Sequence, residues 1–239
     1  MTQQSKLSRR DFLSISALAF SGAVLSSCAP AVAQPAAQPT AEAAVTSADE
    51  AIQRLKEGNL RYVGNKTVDP NQTEARRVEL AGGQHPFATI LGCVDSRVPP
   101  ELVFDRGLGD LFVIRTAGQV VDKAVLGSIE FGAAELGIPL IVVLGHEKCG
   151  AVKATIETLA ANGEAEGSIA YLVEGITPAV EKAKGQAGDE LDNVVRANVG
   201  LVVEALNKST ILSEAVSAGK LKIVGGRYDL DTGAVEFIA

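Results

Sequence analysis

Two short apolar runs, Phe87-Ala88-Thr89-Ile90-Leu91 and Leu140-Ile141-Val142-Val143-Leu144, have the length and β-branched content of buried strands. Counting similar stretches, strands are predicted at 87–92, 111–116, 140–145, 221–226 and 234–238. Helical periodicity fills the intervals near 99–105, 121–137, 150–162, 168–185 and 189–218. Upstream, Ser47-Ala48-Asp49-Glu50 is a capping box opening a helix that carries Ile52, Leu55, Leu60 and Val63. Thr73 starts a second helix that stops near Gly82-Gly83. Asp122 and Lys123 precede the amphipathic run Val125, Ile129, Phe131 and Leu136, which Gly137-Ile138-Pro139 ends. This alternation predicts an α/β fold: a mostly parallel β-sheet flanked by helices, with right-handed crossovers. A turn around Asp231-Thr232-Gly233 joins the last two strands as a hairpin, giving an antiparallel edge strand.

The first residues break this pattern. Ser8-Arg9-Arg10-Asp11-Phe12-Leu13 carries a twin-arginine pair, followed by a mainly apolar stretch from Phe12 to Leu25. That stretch is short for a bilayer span and leads into small residues, as a cleaved export signal does. Two processing sites compete. Leu25-Ser26-Ser27-Cys28 resembles a lipobox, in which Cys28 is lipidated and becomes the first mature residue; Ala31-Val32-Ala33 fits ordinary signal cleavage. The first is favoured, because Cys28 otherwise has no evident purpose. Acyl chains on Cys28 would hold the protein at a membrane, each buried methylene contributing about 0.8 kcal/mol. Cleavage at Ala33 would instead leave a soluble periplasmic protein. Residues 28–47, rich in Ala, Pro and Gln, read as a flexible tether. The expected organisation is therefore 1–27 signal peptide, 28–47 tether and 48–239 a single domain, with the product exported to a periplasmic or other extracytoplasmic site.

Removing residues 1–27 leaves 212 residues, ample for one core. The removed piece carries three basic side chains and one acidic, so the net charge goes from −7 to −9. That balance argues against a nucleic-acid partner and gives no basic surface for anionic lipid. Any membrane partner must be reached through the lipid on Cys28.

Chemistry gathers where the two apolar runs end. Cys93-Val94-Asp95-Ser96-Arg97 follows the first, and His146-Glu147-Lys148-Cys149-Gly150 follows the second. Carboxyl ends of strands in open α/β sheets are where such folds bind ligands. Cys93, His146 and Cys149 are a set of two thiolates and one imidazole, suited to a tetrahedral Zn2+, one ion per chain. Cys149 falls at the expected start of a helix, where the dipole favours a thiolate. Asp95 could be the fourth metal ligand and close the site. Alternatively Arg97 could hold Asp95 in a bidentate pair and leave that position to water. A disulfide between Cys93 and Cys149 would leave His146, Asp95 and Arg97 unexplained. Twin-arginine export resembles a route for folded proteins, which suits a thiolate site loaded before it meets an oxidising compartment.

At this point the chain resembles the β-class carbonic anhydrases. The matching pieces are Gly92-Cys93-Val94-Asp95-Ser96-Arg97-Val98, Leu111-Phe112-Val113-Ile114-Arg115-Thr116-Ala117-Gly118, Gly127-Ser128-Ile129-Glu130-Phe131 and Gly145-His146-Glu147-Lys148-Cys149-Gly150-Ala151-Val152. The resemblance covers roughly residues 48–239. It implies reversible hydration of carbon dioxide to bicarbonate and a proton by zinc-bound hydroxide. It also implies Cys93, His146 and Cys149 as ligands, Asp95 and Arg97 as the catalytic dyad, and assembly as a homodimer or higher homo-oligomer. Some members of the family are switched off by bicarbonate in a pocket built from a tryptophan, an arginine and a tyrosine. This chain has no tryptophan; Ile90 stands in its place, while Arg115 and Tyr228 match the others. Activity is therefore expected to depend on pH without strong extra inhibition by bicarbonate.

Other readings keep the same site. Relatives on this scaffold hydrolyse carbon disulfide or carbonyl sulfide, and a non-catalytic zinc-binding lipoprotein would need neither Asp95 nor Arg97. His85, in Gln84-His85-Pro86, reads as a loop residue, and Glu130 and Glu147 as ordinary charges without a role in the site.

Overall fold

The computed structural model describes residues 44–238. The export signal, Cys28 and most of the tether expected above lie outside them. The elements follow in order α1 (Ala48–Val63), α2 (Glu74–Leu80), β1 (Ala88–Cys93), α3 (Pro100–Val103), β2 (Leu111–Thr116), a 3-10 turn (Ala117–Gln119) and α4 (Lys123–Ala134). The second half runs β3 (Leu140–His146), α5 (Gly150–Ala160), α6 (Ile169–Ala183), α7 (Glu190–Leu206), α8 (Thr210–Ser217), β4 (Lys222–Tyr228) and β5 (Val235–Ile238). Among the described residues no helix is long and apolar enough to cross a membrane.

The five strands form one sheet in the order β2-β1-β3-β4-β5. All neighbours are parallel except β4 and β5, which form the expected antiparallel hairpin. Every residue of β1 and β3 is buried, whereas edge strand β2 is only partly buried along its length. Side chains alternate faces along the strands. Ile90, Val142 and Leu144 pack with Leu55 of α1 and Phe104, while Leu91, Ile141 and Val143 pack with Ile129 of α4, Val199 of α7 and Leu212 of α8. Helix α7 lies against β3 and β4 because glycines open that face. A Cβ on Gly145 would lie 2.5 Å from Val199 Cγ2, and one on Gly225 2.6 Å from Val199 Cγ1.

Three expectations need correction. The predicted apolar face of α1 included Leu60 and Val63, yet Leu60 is 70% exposed and the buried positions are Ala51, Leu55, Gly58 and Asn59. Polar recognition sets the rotation of this helix. Asn59 Nδ2 donates to Val103 O (3.1 Å) and Gly233 O (2.8 Å), and its Oδ1 accepts from Val235 N (2.8 Å). The helix comes so near α3 that a Cβ on Gly58 would collide with Phe104 O. The continuous helix predicted over 189–218 is two helices. Ser209 caps the second, accepting from Leu212 N, and donates its hydroxyl to Glu130 (2.6 Å). Phe131, expected on the apolar side of α4, is half-exposed.

The chain enters the fold at the amino edge of the sheet. Ser47 caps α1 by accepting from Glu50 N, and Glu50 reaches back to Thr46 N (3.1 Å) rather than to Ser47 N. Asp49 then pairs with Lys222, the first residue of β4 (3.0 Å).

Candidate metal centre and active site

The strand order reverses direction between β1 and β3, since β1 continues outward to β2 and β3 to β4. Loops leaving the carboxyl ends of such a pair diverge and leave a crevice, the preferred ligand position in open α/β sheets. Cys93 ends β1 and His146 ends β3, so both face that crevice edge. Cys149 is the N-cap residue of α5, three residues on, and its side chain makes no capping bond. The ligand atoms of Cys93, His146 and Cys149 all lie within 4.8 Å of one another, and all three residues are buried. Both cysteines are free thiols rather than a disulfide.

The donor set fits zinc. His146 Nδ1 lies 2.8 Å from Glu147 O. A carbonyl only accepts, so Nδ1 carries the proton there and the neutral ring presents a bare lone pair on Nε2. That Nε2 is buried without a hydrogen-bond partner. Buried polar atoms are nearly always satisfied, and an orphan beside two sulfurs is what a missing cation leaves. The electrostatics agree. The Cys149 thiol donates to Cys93 and holds the Cys93 thiol far below its ordinary range, while the same contact and burial push Cys149 up. Burial opposes charge on His146, but the negative Cys93 sulfur beside it, with help from the Glu147 carbonyl and the Asp95 charge, outweighs burial and raises its pKa. A divalent cation replaces these retained protons when it binds.

Asp95 takes the second of the two arrangements weighed from the sequence. Arg97 Nε and Nη2 reach its two carboxylate oxygens at 3.0 and 2.7 Å, and the Arg97 amide adds a third bond at 2.9 Å. Asp95 lies outside the three-residue ligand cluster, with Oδ2 3.8 Å from His146 Nε2. The Arg97 hydrogen bonds hold its carboxyl down at about 2.

Four residues that were not singled out for this site shape it. Arg115, on β2, donates from Nε to Cys93 O (2.7 Å) and from Nη2 to Asp95 O (2.6 Å), tying down the loop that joins Cys93 to the Asp95–Arg97 pair. Gly118 donates its amide to Cys93 Sγ (3.5 Å), and Asn198 of α7 holds Gly118 O (2.8 Å). Gly118 has φ 63° and sits against Ile176, where a Cβ would fall 2.6 Å from Cδ1. The signal for Asn198 was a polar side chain interrupting the buried stripe Val194, Val195, Val199 and Val202. Glu147, read as an ordinary charge, accepts from Leu230 N (3.2 Å). His85 is exposed just ahead of β1, at the edge opposite Cys93.

The three positions compared with a bicarbonate pocket are otherwise engaged. Ile90 is fully buried in the core, Arg115 is spent on carbonyls, and Tyr228 Oη meets Tyr62 Oη at 3.2 Å. A cavity of about 550 Å³ does lie beside Tyr228, but Asp69, Glu101, Asp105 and Asp231 line it against Arg106, a poor setting for an anion.

Fold and site together define an open α/β protein with a two-thiolate, one-imidazole metal centre at its switch point and a carboxylate–guanidinium pair beside it. Residues 88–235 match the family model described as carbonic anhydrase. A carbonic anhydrase of Mycolicibacterium smegmatis is 44% identical over 183 residues, spanning 76% of this chain and 89% of that one. Coccomyxa β-carbonic anhydrase, solved with acetazolamide, superposes with TM-score 0.60 at 27% identity, over 75% of this chain and 82% of that one. A tetrameric β-carbonic anhydrase of Sordaria macrospora shares the fold, with TM-score 0.63 at 22% identity, over 80% and 98% of the two chains. The chain belongs to the carbonic anhydrase family, in its β class. Its reaction is the zinc-dependent, reversible hydration of carbon dioxide to bicarbonate and a proton.

Proposed function

We propose that Cys93, His146 and Cys149 hold the zinc of this carbonate dehydratase and that Asp95 and Arg97 are its catalytic dyad. The observation that carries this reading is the orphaned His146 Nε2, gathered with two free sulfurs while Asp95 is pinned by Arg97. Zinc, when bound, supplies the Lewis acidity that makes water a nucleophile near neutral pH. Two thiolates offset its charge, so the surrounding residues have more to do than at an all-histidine site. Asp95, kept ionised, is an acceptor only. It orients a water beside the ligand cluster through that water's hydrogen, leaving a lone pair free for the carbon of carbon dioxide. Arg97 holds Asp95 off the fourth position and stays accessible, about half-exposed, at the mouth of the site. Arg115 keeps Cys93 and Asp95 in register. Val120, Val152 and Ile176 pack around the cysteines and keep the site poor in competing water.

The same proposal extends to the whole chain. Residues 1–27 direct twin-arginine export, Cys28 carries the lipid, and 28–47 tether the 48–239 domain outside the cytoplasm. The domain works as a homo-oligomer, supported by the partly buried edge strand β2 and by half-exposed Phe131 on α4, and in keeping with the tetrameric relative of Sordaria macrospora.

Stopped-flow hydration of carbon dioxide, with zinc measured on the same sample, tests the enzyme. One zinc per chain and fast hydration, with zinc lost in Cys149→Ser, is expected. One zinc without hydration at any pH would refute the dyad's role and make carbon disulfide the next substrate to try. Mass analysis of the mature amino terminus tests the lipid on Cys28; a terminus beginning after Ala33 would refute it.

A further inference from the structure

The loop that carries two of the ligands is short and strained. Between His146 and Cys149, Lys148 sits in the left-handed region at φ 53°. A non-glycine residue is disfavoured there and persists only where surrounding contacts impose it. The imposing contacts come from the β4–β5 hairpin. Glu147 N donates to Tyr228 O (2.9 Å), and Leu230 N donates to Glu147 Oε2 (3.2 Å). Lys148 Nζ is shared between Glu147 (3.2 Å) and Asp231 (3.1 Å).

The hairpin turn is itself built rigidly. Asp229 Oδ1 accepts from the amides of Asp231 and Thr232 and from the Thr232 hydroxyl, and Arg227 pairs with the other oxygen. Buried Asn59 fixes Gly233 and Val235 from behind. Glu147 is thus gripped through its amide and its carboxylate, while its carbonyl orients the His146 ring. The Lys148 ion pairs are half-exposed and contribute little. The Glu147 carboxylate, about one-fifth exposed, carries the grip.

We infer that Glu147 is a positioning residue for the metal: locked to the hairpin through Leu230, it holds the His146–Cys149 turn in its strained, ligand-ready shape and slows zinc loss. This rests on the reading that Cys93, His146 and Cys149 hold zinc. Neither Glu147 nor the hairpin touches the ligand atoms, so the effect passes through the backbone of the loop.

The test uses the full-length zinc-loaded protein and a chromophoric chelator that reports zinc release, with a parallel cobalt(II) form read by its thiolate charge-transfer band. Loss of comparable outer contacts costs about 10–100-fold in metal affinity. Glu147→Ala should release zinc about tenfold faster or more and shift the cobalt band, with the metal-free melting temperature unchanged. Glu147→Gln, which keeps an acceptor for Leu230 N, should return release to within about threefold of the parent. Should the alanine form not fold, Glu147→Asp, one methylene too short to reach Leu230, takes its place. Release within twofold of the parent overturns the inference, as does faster release matched by an equal loss of metal-free stability. A parent protein without zinc, or a Cys149→Ser form that keeps it, would instead overturn the ligand assignment.

Discussion

Asn198 offers a sharp test of how the fold supports the metal centre. Its amide nitrogen donates to Gly118 O at 2.8 Å, it is 3% exposed, and Gly118 in turn donates to Cys93 Sγ. In Asn198→Ala the carbonyl of Gly118 loses its buried donor, which costs about 1–3 kcal/mol. The space vacated adds to this, so about 2–3 kcal/mol of destabilisation is expected. Asn198→Asp is more diagnostic. An ionised carboxylate there would face a carbonyl oxygen without a proton to offer, so the folded state favours the protonated acid and raises its pKa above the ordinary value of about 3.9. The folded state then binds the proton more tightly than the unfolded state, and stability falls as pH rises. The deficit of the aspartate variant should be smallest below about pH 4, grow as pH rises, and level off above the folded pKa, whereas the alanine deficit stays flat. Urea unfolding of the zinc-free parent and both variants between pH 4 and 8 measures this. Parallel pH profiles for the two variants, or an alanine cost under about 0.5 kcal/mol, would refute the argument.

Asp95→Asn should retain one zinc per chain but hydrate carbon dioxide at least about tenfold more slowly, read by stopped flow; unchanged turnover would count against the dyad. The Asp95 carboxyl is lowered to about 2 from 3.8, so its pairing contributes stability fully present above pH 3.8 and lost as pH falls through about 2. Activity lost between pH 8 and 5 should therefore not follow protonation of Asp95 in its Arg97-paired state, and a pH–rate profile will show its inflection elsewhere. Added bicarbonate should inhibit without cooperativity, because Ile90, Arg115 and Tyr228 form no anion pocket; steep, cooperative inhibition in steady-state rates would contradict that. Arg115→Leu, which frees the carbonyls of Cys93 and Asp95, should depress the turnover number more than the zinc content.

What could be read along the chain was whatever depends on near neighbours. Buried strands announce themselves as apolar runs, and Cys93 and His146 stand at the last residues of two of them, so strand positions and candidate ligands were legible together. The N-caps at Ser47, Thr73 and Asp122 were legible because the capping bond spans three residues. The rotation of α1 was not, because Asn59 finds partners 44 and 174 residues away, and these override the apolar periodicity that pointed to Leu60. The break at Ser209 was hidden by helix-forming residues on both sides. The contacts that finish the site, Arg115 to Cys93 and Asn198 to Gly118, cross 22 and 80 residues and leave only a faint trace, such as one asparagine in a row of valines.

The Asp49–Lys222 pair marks where α1 begins, beside the first residue of β4, and that position bears on which face the protein presents when it is held. The described chain starts at the amino ends of the strands, and the metal-binding crevice opens at the opposite ends, beyond Cys93 and His146. A grip applied at the start of α1, such as a purification tag or a resin, pulls on the face opposite the crevice. Gas can reach the mouth and ions can leave it from the side turned toward open solution. Immobilisation through the amino terminus should therefore cost this enzyme little of its turnover, while coupling through the Asp229–Ala234 turn, beside the ligand loop, should blunt it.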